Sequence, residues 1–196
     1  MTDRLDAQLA FLMEADKLKG VLRASRLTDN SRSENSGEHS WHIALFAMVL
    51  ADQAGEGVDI NRVIKMLLIH DLVEIDTGDT PIHSAEGQAH GSAEVLSAEQ
   101  LAADRLFGLL PEDQSRAFRD LWEEFEAAQT PDAVFAKSLD RVQPVMLNLA
   151  NDGGTWNDYA VTREQLETRV GVKVARGAPR LWDWLHDRID AWFQKR

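Results

Sequence analysis

The stretch Ile69-His70-Asp71-Leu72-Val73-Glu74-Ile75-Asp76-Thr77-Gly78-Asp79 decides how this chain is read. The segment leading into it, 63–69, is mostly apolar, and its apolar positions run almost all the way round a helical turn. A helix that is apolar on every side is one that a domain buries. Yet this helix carries His70, Asp71 and Glu74 in its last turns before Gly78 breaks it. Buried carboxylates and imidazoles are costly unless they are paired, hydrogen-bonded or bound to a metal. Adjacent His and Asp at a helix end can supply neighbouring ligands to one ion, and the negative end of the helix dipole favours a cation there. Glu74 projects from the same face, four residues after His70 and three after Asp71, so it can reach a water on such an ion without ligating the ion. A core His-Asp pair followed by solvated acids fits the same letters, so the rest of the chain has to decide.

With 196 residues and 44% hydrophobic content, the chain is expected to fold as one domain over 1–196 with a sizeable core. No apolar run approaches the roughly 18 residues that span a bilayer. The first residues, Met-Thr-Asp-Arg-Leu-Asp, lack the basic-then-apolar layout of a secretion signal. Cysteine is absent, which excludes disulfides and thiolate metal sites and makes a reducing cytoplasm the expected location. A formal charge of −12 argues against a nucleic-acid polymer or an anionic membrane as partner. A small phosphate responds to local charge and is not excluded, and a bound cation would change that local sign.

Working outward, strand-like alternation is almost absent and every long segment reads as helix. Leu5, Leu9, Leu12, Leu18, Val21 and Leu22 recur at helical spacing over 5–23. A polar loop over 28–34 follows. Asn35 with Glu38 three residues later forms a capping-box pattern, starting a helix to about Gln53 with His39 in its first turn. Ile43, Phe46, Ala47 and Leu50 are its buried stripe, and Gly55-Glu56-Gly57 ends it. The helix of the opening stretch begins near Asp59. After Gly78 comes a loop over 79–91, with Pro81, Gly87, His83 and His90, and then a helix from about Ser92 to Phe107. Pro111 opens the next helix, and Thr130-Pro131 opens another whose Phe135, Leu139, Val142, Met146 and Leu149 are spaced 4-3-4-3. Pro144 lies inside it and cannot bond the carbonyl of Asp140, which predicts a kink beside that aspartate. Two shorter helices finish the chain. The fold class is all-α, a helical bundle with a buried metal site.

His39, His70, Asp71 and Asp140 together complete a metal-site hypothesis. Nitrogen and oxygen ligands without sulfur suit one divalent ion among Mn, Co, Fe, Ni, Zn and Mg. Two His and two carboxylates leave positions open for water and substrate, as hydrolysis requires.

Three ordered pieces carry a family resemblance: Glu34-Asn35-x-x-Glu38-His39-Ser40-Trp41, His70-Asp71-x-x-Glu74-x-x-x-Gly78-Asp79 and Lys137-x-x-Asp140. Leu110-Pro111 and Leu121-Trp122-Glu123-Glu124-Phe125-Glu126 add to it. Over about residues 10–152 the chain resembles the HD-domain metal-dependent phosphohydrolases, in the branch of the 5′-deoxynucleotidases and the HD-domain-containing protein 2 group. The resemblance implies one divalent ion on His39, His70, Asp71 and Asp140, and hydrolysis of (deoxy)nucleoside 5′-monophosphates to nucleoside and phosphate. It implies that Glu74 activates or orients the attacking water, and that Asp79 contacts the substrate and assists proton transfer. It also implies that Arg23 orients the phosphate, with Arg26 or Arg32 as alternatives. One departure stands out. The bacterial members of that branch carry a tryptophan after this arginine that helps exclude ribose, and Ala24 stands there in this chain.

Other residues take plainer readings. His42 reads as a helix-surface or supporting histidine. His83 and His90 admit a two-metal oxygenase alternative, but both fall in the loop over 79–91. Trp182, Trp184 and Trp192 read as core or interface packing, with Leu181, Leu185 and Trp192 a candidate homodimer seam. Glu123, Glu124 and Glu126 read as a solvated face on which one acid can line the pocket. Two alternatives to the nucleotidase remain open: an HD protein that binds a nucleotide without hydrolysing it, and an HD hydrolase of another phosphate ester. The absence of a second basic cluster along the chain counts against a triphosphate.

Overall fold

A computed structural model of the chain describes residues 3–83 and 93–196. Of these residues 74% are helical, and among them lies one two-stranded sheet. In order come α1 (Arg4–Ala15), a 3-10 turn (Asp16–Gly20), β1 (Leu22–Arg26), β2 (Ser33–Asn35), α2 (Ser36–Val49) and a short 3-10 turn (Ala51–Gln53). Then come α3 (Ile60–Ile69), a 3-10 turn (His70–Val73), α4 (Glu74–Thr77), α5 (Ala93–Phe107), α6 (Glu112–Ala127) and α7 (Pro131–Ala150). The chain ends with α8 (Thr155–Asp158), α9 (Arg163–Leu166), a π turn (Glu167–Gly171), α10 (Val172–Gly177) and α11 (Pro179–Phe193). The all-α reading holds, and the predicted caps are where the sequence puts them. Asn35 accepts from the Glu38 amide at 2.9 Å and donates its own amide to the Glu38 carboxylate at 3.1 Å. Asp59 caps α3, and Thr130 caps α7 ahead of Pro131.

The predicted first helix over 5–23 is wrong at its end. α1 stops at Ala15, and after the 3-10 turn the chain extends into an antiparallel hairpin pairing Leu22 with Asn35 and Arg26 with Ser33. The ladder is irregular between those pairs, and burial along β1 does not alternate. A strand this short, half-exposed and bulged leaves no period of two for a sequence reading to find. Arg23 therefore sits on a strand facing inward, not on a helix. The predicted pair of closing helices is present, as an unbroken helical run over 163–177 that contains the π turn and as α11, with the one-turn α8 ahead of them.

Burial explains the packing. Val63, Met66 and Leu67 of α3 are wholly enclosed, against Ile43 and Ala47 of α2 and Ala136 and Leu139 of α7. Each such large side chain contributes roughly 1.5–3 kcal/mol by leaving water. A second apolar cluster gathers Trp156, Val161, Leu166, Val170, Val174, Leu185, Ile189 and Trp192. α7 belongs to both: Ala133, Phe135, Ala136 and Leu139 lie in the first cluster, Val142 and Val145 in the second. Asp140 stands at the changeover. The proposed homodimer seam on the last helix is corrected here, because Leu185 and Trp192 are spent inside this second cluster, Trp192 edge-on to Trp156 at 5.2 Å. Trp184 stays exposed, beneath Arg188. Among the described residues no helix is long and apolar enough to cross a membrane.

Candidate active site

Three separate elements bring the candidate ligands together. The first turn of α2 carries His39, the 3-10 turn after α3 carries His70 and Asp71, and α7 carries Asp140, all of them buried. His39 Nε2 lies 3.2 Å from Asp140 Oδ1, and His70 Nε2 lies 3.8 Å from the same oxygen. One ligand atom each from His39, His70 and Asp71 falls within 4.8 Å of the others.

The polar atoms around them test whether an ion fits. His70 Nδ1 donates to the Leu67 carbonyl at 2.9 Å, which leaves Nε2 as the lone-pair nitrogen. That Nε2 is buried and makes no hydrogen bond, although Asp71 Oδ1 is only 2.9 Å away. Closeness without hydrogen-bond alignment is the arrangement of two ligands that share a third partner. His39 Nδ1 faces Gln143 Oε1 at 3.0 Å, so its Nε2 is likewise left for the interior of the cluster. A buried His/Asp cluster with this donor set fits a divalent metal.

The charges agree. Burial and Arg23 both oppose protonation of His39, yet Asp140, Glu34 and Asp71 together lift it to about 9. Burial works against the charged form of Asp140, but Arg141 and the imidazoles hold it well below the usual carboxylate range. Asp71 is also lowered against burial, by His70 and then Arg23.

The expected phosphate-orienting and water-handling residues surround this cluster. Arg23 Nη1 lies 2.9 Å from Asp71 Oδ2, 3.4 Å from Asp79 Oδ1 and 3.8 Å from Glu74 Oε1. Arg26 is exposed, and Arg32 is held by Glu38 at 2.8 Å on the surface, so neither reaches the site. Glu74 accepts from Ser36 Oγ at 2.5 Å, and burial, Asp71 and Asp79 raise its pKa well above the ordinary value. Asp79, raised by burial and by Asp71, accepts from the Ala24 amide. Gly78, at φ 73° and ψ 162°, makes the turn that returns Asp79 to Arg23, a conformation nearly closed to residues with a Cβ.

Sequence reasoning missed several contributors. Gln143 is wholly buried, and its Nε2 is shared between Glu34 Oε1 at 2.6 Å and His42 Nδ1 at 3.2 Å. It fixes His39 while Glu34 and His42 fix it, and its signal was the three-residue step from Asp140. A cavity of about 430 Å³ opens from His70, Asp71, Glu74, Asp79 and Arg23, and Trp156 and Tyr159 add aromatic surface to its wall. Ala24 lines the cavity, whereas Trp41 is 62% exposed and is not among the lining residues. Of the three acids on α6, Glu126 lines the cavity.

The reading that the chain lacks a second basic cluster is overturned. Lys137, Arg141, Lys173 and Arg176 all line the same cavity, far apart in sequence but gathered by the packing of α10 on α7. His83 lines it too, held near 4 by burial and by Arg169 and Arg141. His90 lies outside the described residues.

Comparison with known proteins follows the same lines. The family model described as HD domain matches residues 15–182. The chain is 30% identical over 139 residues to the human protein named 5′-deoxynucleotidase HDDC2, covering 70% of this chain and 65% of that one, somewhat less than two thirds of its length. It is 27% identical over 170 residues to 5′-deoxynucleotidase YfbR of Shigella flexneri, covering 85% of this chain and 84% of that one. A crystal structure at 1.37 Å of a "predicted metal-dependent phosphohydrolase" from Magnetospirillum magnetotacticum MS-1 superposes with a TM-score of 0.90 at 47% identity. That match covers 97% of this chain and 93% of the other. With the family model matching most of its length and the motif residues folded round one buried cluster, the chain belongs to the HD domain family.

Proposed function

We propose that this protein is a phosphomonoesterase that hydrolyses (deoxy)nucleoside 5′-monophosphates to nucleoside and phosphate, with one divalent ion on His39, His70, Asp71 and Asp140. The observation that carries this reading is the convergence of those four side chains beside Arg23 and Glu74, at a cavity that all of them except the enclosed His39 line. The names of the HDDC2 and YfbR relatives support it.

A bound divalent ion would polarise a phosphoryl oxygen and lower the pKa of a water. The chain's own residues do the rest. Arg23, held by Asp71 and Asp79, presents its remaining N–H groups to the phosphate. Glu74, steadied by Ser36, takes or steers a proton of the attacking water as the new P–O bond forms. Asp79, whose carboxyl burial and Asp71 push above its ordinary range, is the group in this reading that hands a proton to the departing 5′ oxygen as the ester P–O bond breaks.

The whole chain acts as one domain in this reading, and a cysteine-free composition suits the cytoplasm. For a homodimer the better surface is α2, where Trp41, Leu45, Met48 and Val49 leave an apolar face exposed at helical spacing. The deciding test measures phosphate release from ribo- and deoxyribonucleoside 5′-monophosphates, with Mn, Co, Zn, Mg or Ni added in turn. Release with at least one metal, abolished by chelation, is the expected result. Metal bound without release from any substrate would make the protein a nucleotide binder instead.

A further inference from the structure

The basic wall of the cavity is unexplained by hydrolysis of a simple monophosphate. In the nucleotidase reading, Arg23 and the His/Asp cluster are the groups that meet that one phosphate. Lys137, Arg141, Lys173 and Arg176 nevertheless line the same space, together with the carboxylates Glu99, Glu126 and Asp140. Glu126 is committed to Lys137 at 3.0 Å. Among the described residues no carboxylate lies within ion-pair distance of Lys173 or Arg176. Arg141 is the sharper case: its side chain is 19% exposed and, among the described residues, its buried Nε has no hydrogen-bond partner and its ion-pair contact is Asp140 Oδ2 at 3.7 Å. Asp140 is itself turned toward the imidazoles of the metal cluster.

A guanidinium nitrogen buried without an acceptor costs stability, and a wall with a surplus of cations repels itself. Such an arrangement persists where a ligand supplies the missing acceptors. Mutual repulsion is visible in Lys173, which Arg141 first, then burial, then Lys137 depress to about 8. The chemistry that answers several cations at one wall is a dianionic, many-acceptor group, and a phosphoryl group fits it.

We infer that Arg141, Lys173 and Arg176, with Lys137, form a second anion subsite that takes a further phosphoryl group of the substrate, so that the preferred nucleotide carries two. This rests on the nucleotidase reading above and narrows its substrate class. The second phosphoryl group can come from a 5′-diphosphate chain or from the 3′ position of a 3′,5′-bisphosphate.

The test titrates a deoxynucleoside 5′-monophosphate, the matching 5′-diphosphate and the matching 3′,5′-bisphosphate onto manganese-loaded Glu74→Gln protein, where turnover is suppressed. Wild-type phosphate release is measured beside it. At least one doubly phosphorylated ligand should bind about tenfold tighter than the monophosphate, roughly the gain from one well-placed charge-assisted contact. Whichever ligand shows the gain identifies where the second group sits. Lys173→Ala and Arg176→Ala, both at exposed positions of α10, should each remove most of that gain, and Lys173→Arg should restore it. Equal affinity for all three ligands, or a gain untouched by both alanine variants, overturns the subsite. If the gain is present without phosphate release, the subsite stands and the hydrolase reading falls. If the monophosphate is hydrolysed without any gain, the reverse holds.

Discussion

Arg23 Nη1 donates to Asp71 Oδ2 at 2.9 Å, while the other oxygen of that carboxylate faces His70 Nε2 at 2.9 Å. One aspartate thus has one oxygen on the cluster that fits an ion and the other on the guanidinium that would meet phosphate. Arg23 owes its place to a hairpin, and its charge is shared by Glu34, Asp79 and Glu74 within 4 Å. Replacing it with lysine keeps the charge and loses the fork. Arg23→Lys should lower kcat/KM for a nucleoside monophosphate about 100-fold, or ~2.7 kcal/mol of transition-state stabilisation. Steady-state kinetics on the metal-loaded variant checks it, and near-wild-type kcat/KM would remove Arg23 from the phosphate site.

Glu74 and Asp71 should separate cleanly. Glu74→Ala is expected to retain the metal and lose about 10²–10⁴-fold in kcat, the range for a positioned proton-transfer group. Asp71→Ala should lose both metal and turnover. Metal content of the purified variants, read beside phosphate release, checks this. Full activity in Glu74→Ala refutes its role.

Gln143 touches no proposed substrate, yet it holds His39 at 3.0 Å and is itself held by Glu34 at 2.6 Å. Gln143→Leu keeps the volume and removes the acceptor. Metal affinity should fall about 10–100-fold, the usual cost of losing a partner that orients a ligand histidine. Metal titration checks it. An unchanged dissociation constant would show that α2 alone orients the ring.

The pH response of the stripped protein follows from His39, whose ordinary value of 6.5 rises to about 9 in the cation-free fold. A raised folded value stabilises fully below 6.5, and that contribution is lost as pH climbs through about 9. Lys173, depressed to about 8, adds the opposite slope above that pH, so the clean window is 6.5 to 8. Across it the chelator-treated protein should lose thermal stability. The midpoint gained on adding metal should grow, because fewer protons compete for His39. Thermal melts with and without metal at both ends of the window check both trends. A metal-induced gain that shrinks as pH rises would contradict the assignment of His39.

At Gly177 a Cβ would meet the Ser138 hydroxyl and come within 2.6 Å of the Val134 carbonyl on α7. Gly177→Ala should cost about 1–3 kcal/mol by overpacking, at about 2–4 °C of melting temperature per kcal/mol for a chain of this size. A thermal melt checks it.

Much of the site was legible because its chemistry is local in sequence. His70, Asp71 and Glu74 fall within five positions, and a capping box announces the turn that carries His39. An all-helical fold followed from periodicity and from caps that bind their own neighbours. What escaped depends on pairing at a distance. The hairpin that aims Arg23 has strands of five and three residues with a bulge, too short for alternation to register. The basic wall escaped for a similar reason: Lys137 and Arg141 come from α7, Lys173 and Arg176 from α10, and an overall charge of −12 hides them. Gln143 carries no charge and matches no ligand pattern, so only its contacts give it away. The apolar face of α11 was read as a candidate seam because such a face looks the same whether it packs on its own chain, as Leu185 and Trp192 do, or on another copy.

α7 lends its first half to one oily cluster and its second half to the other, with Asp140 where they meet. Fraying that begins at the carboxyl end therefore cannot stay there. Once α10 and α11 peel away, the beam they brace loses its footing, and the aspartate drifts off the imidazoles. Heat or protease acting on the last forty residues should release the cofactor and silence turnover together, as one cooperative failure with no half-working intermediate.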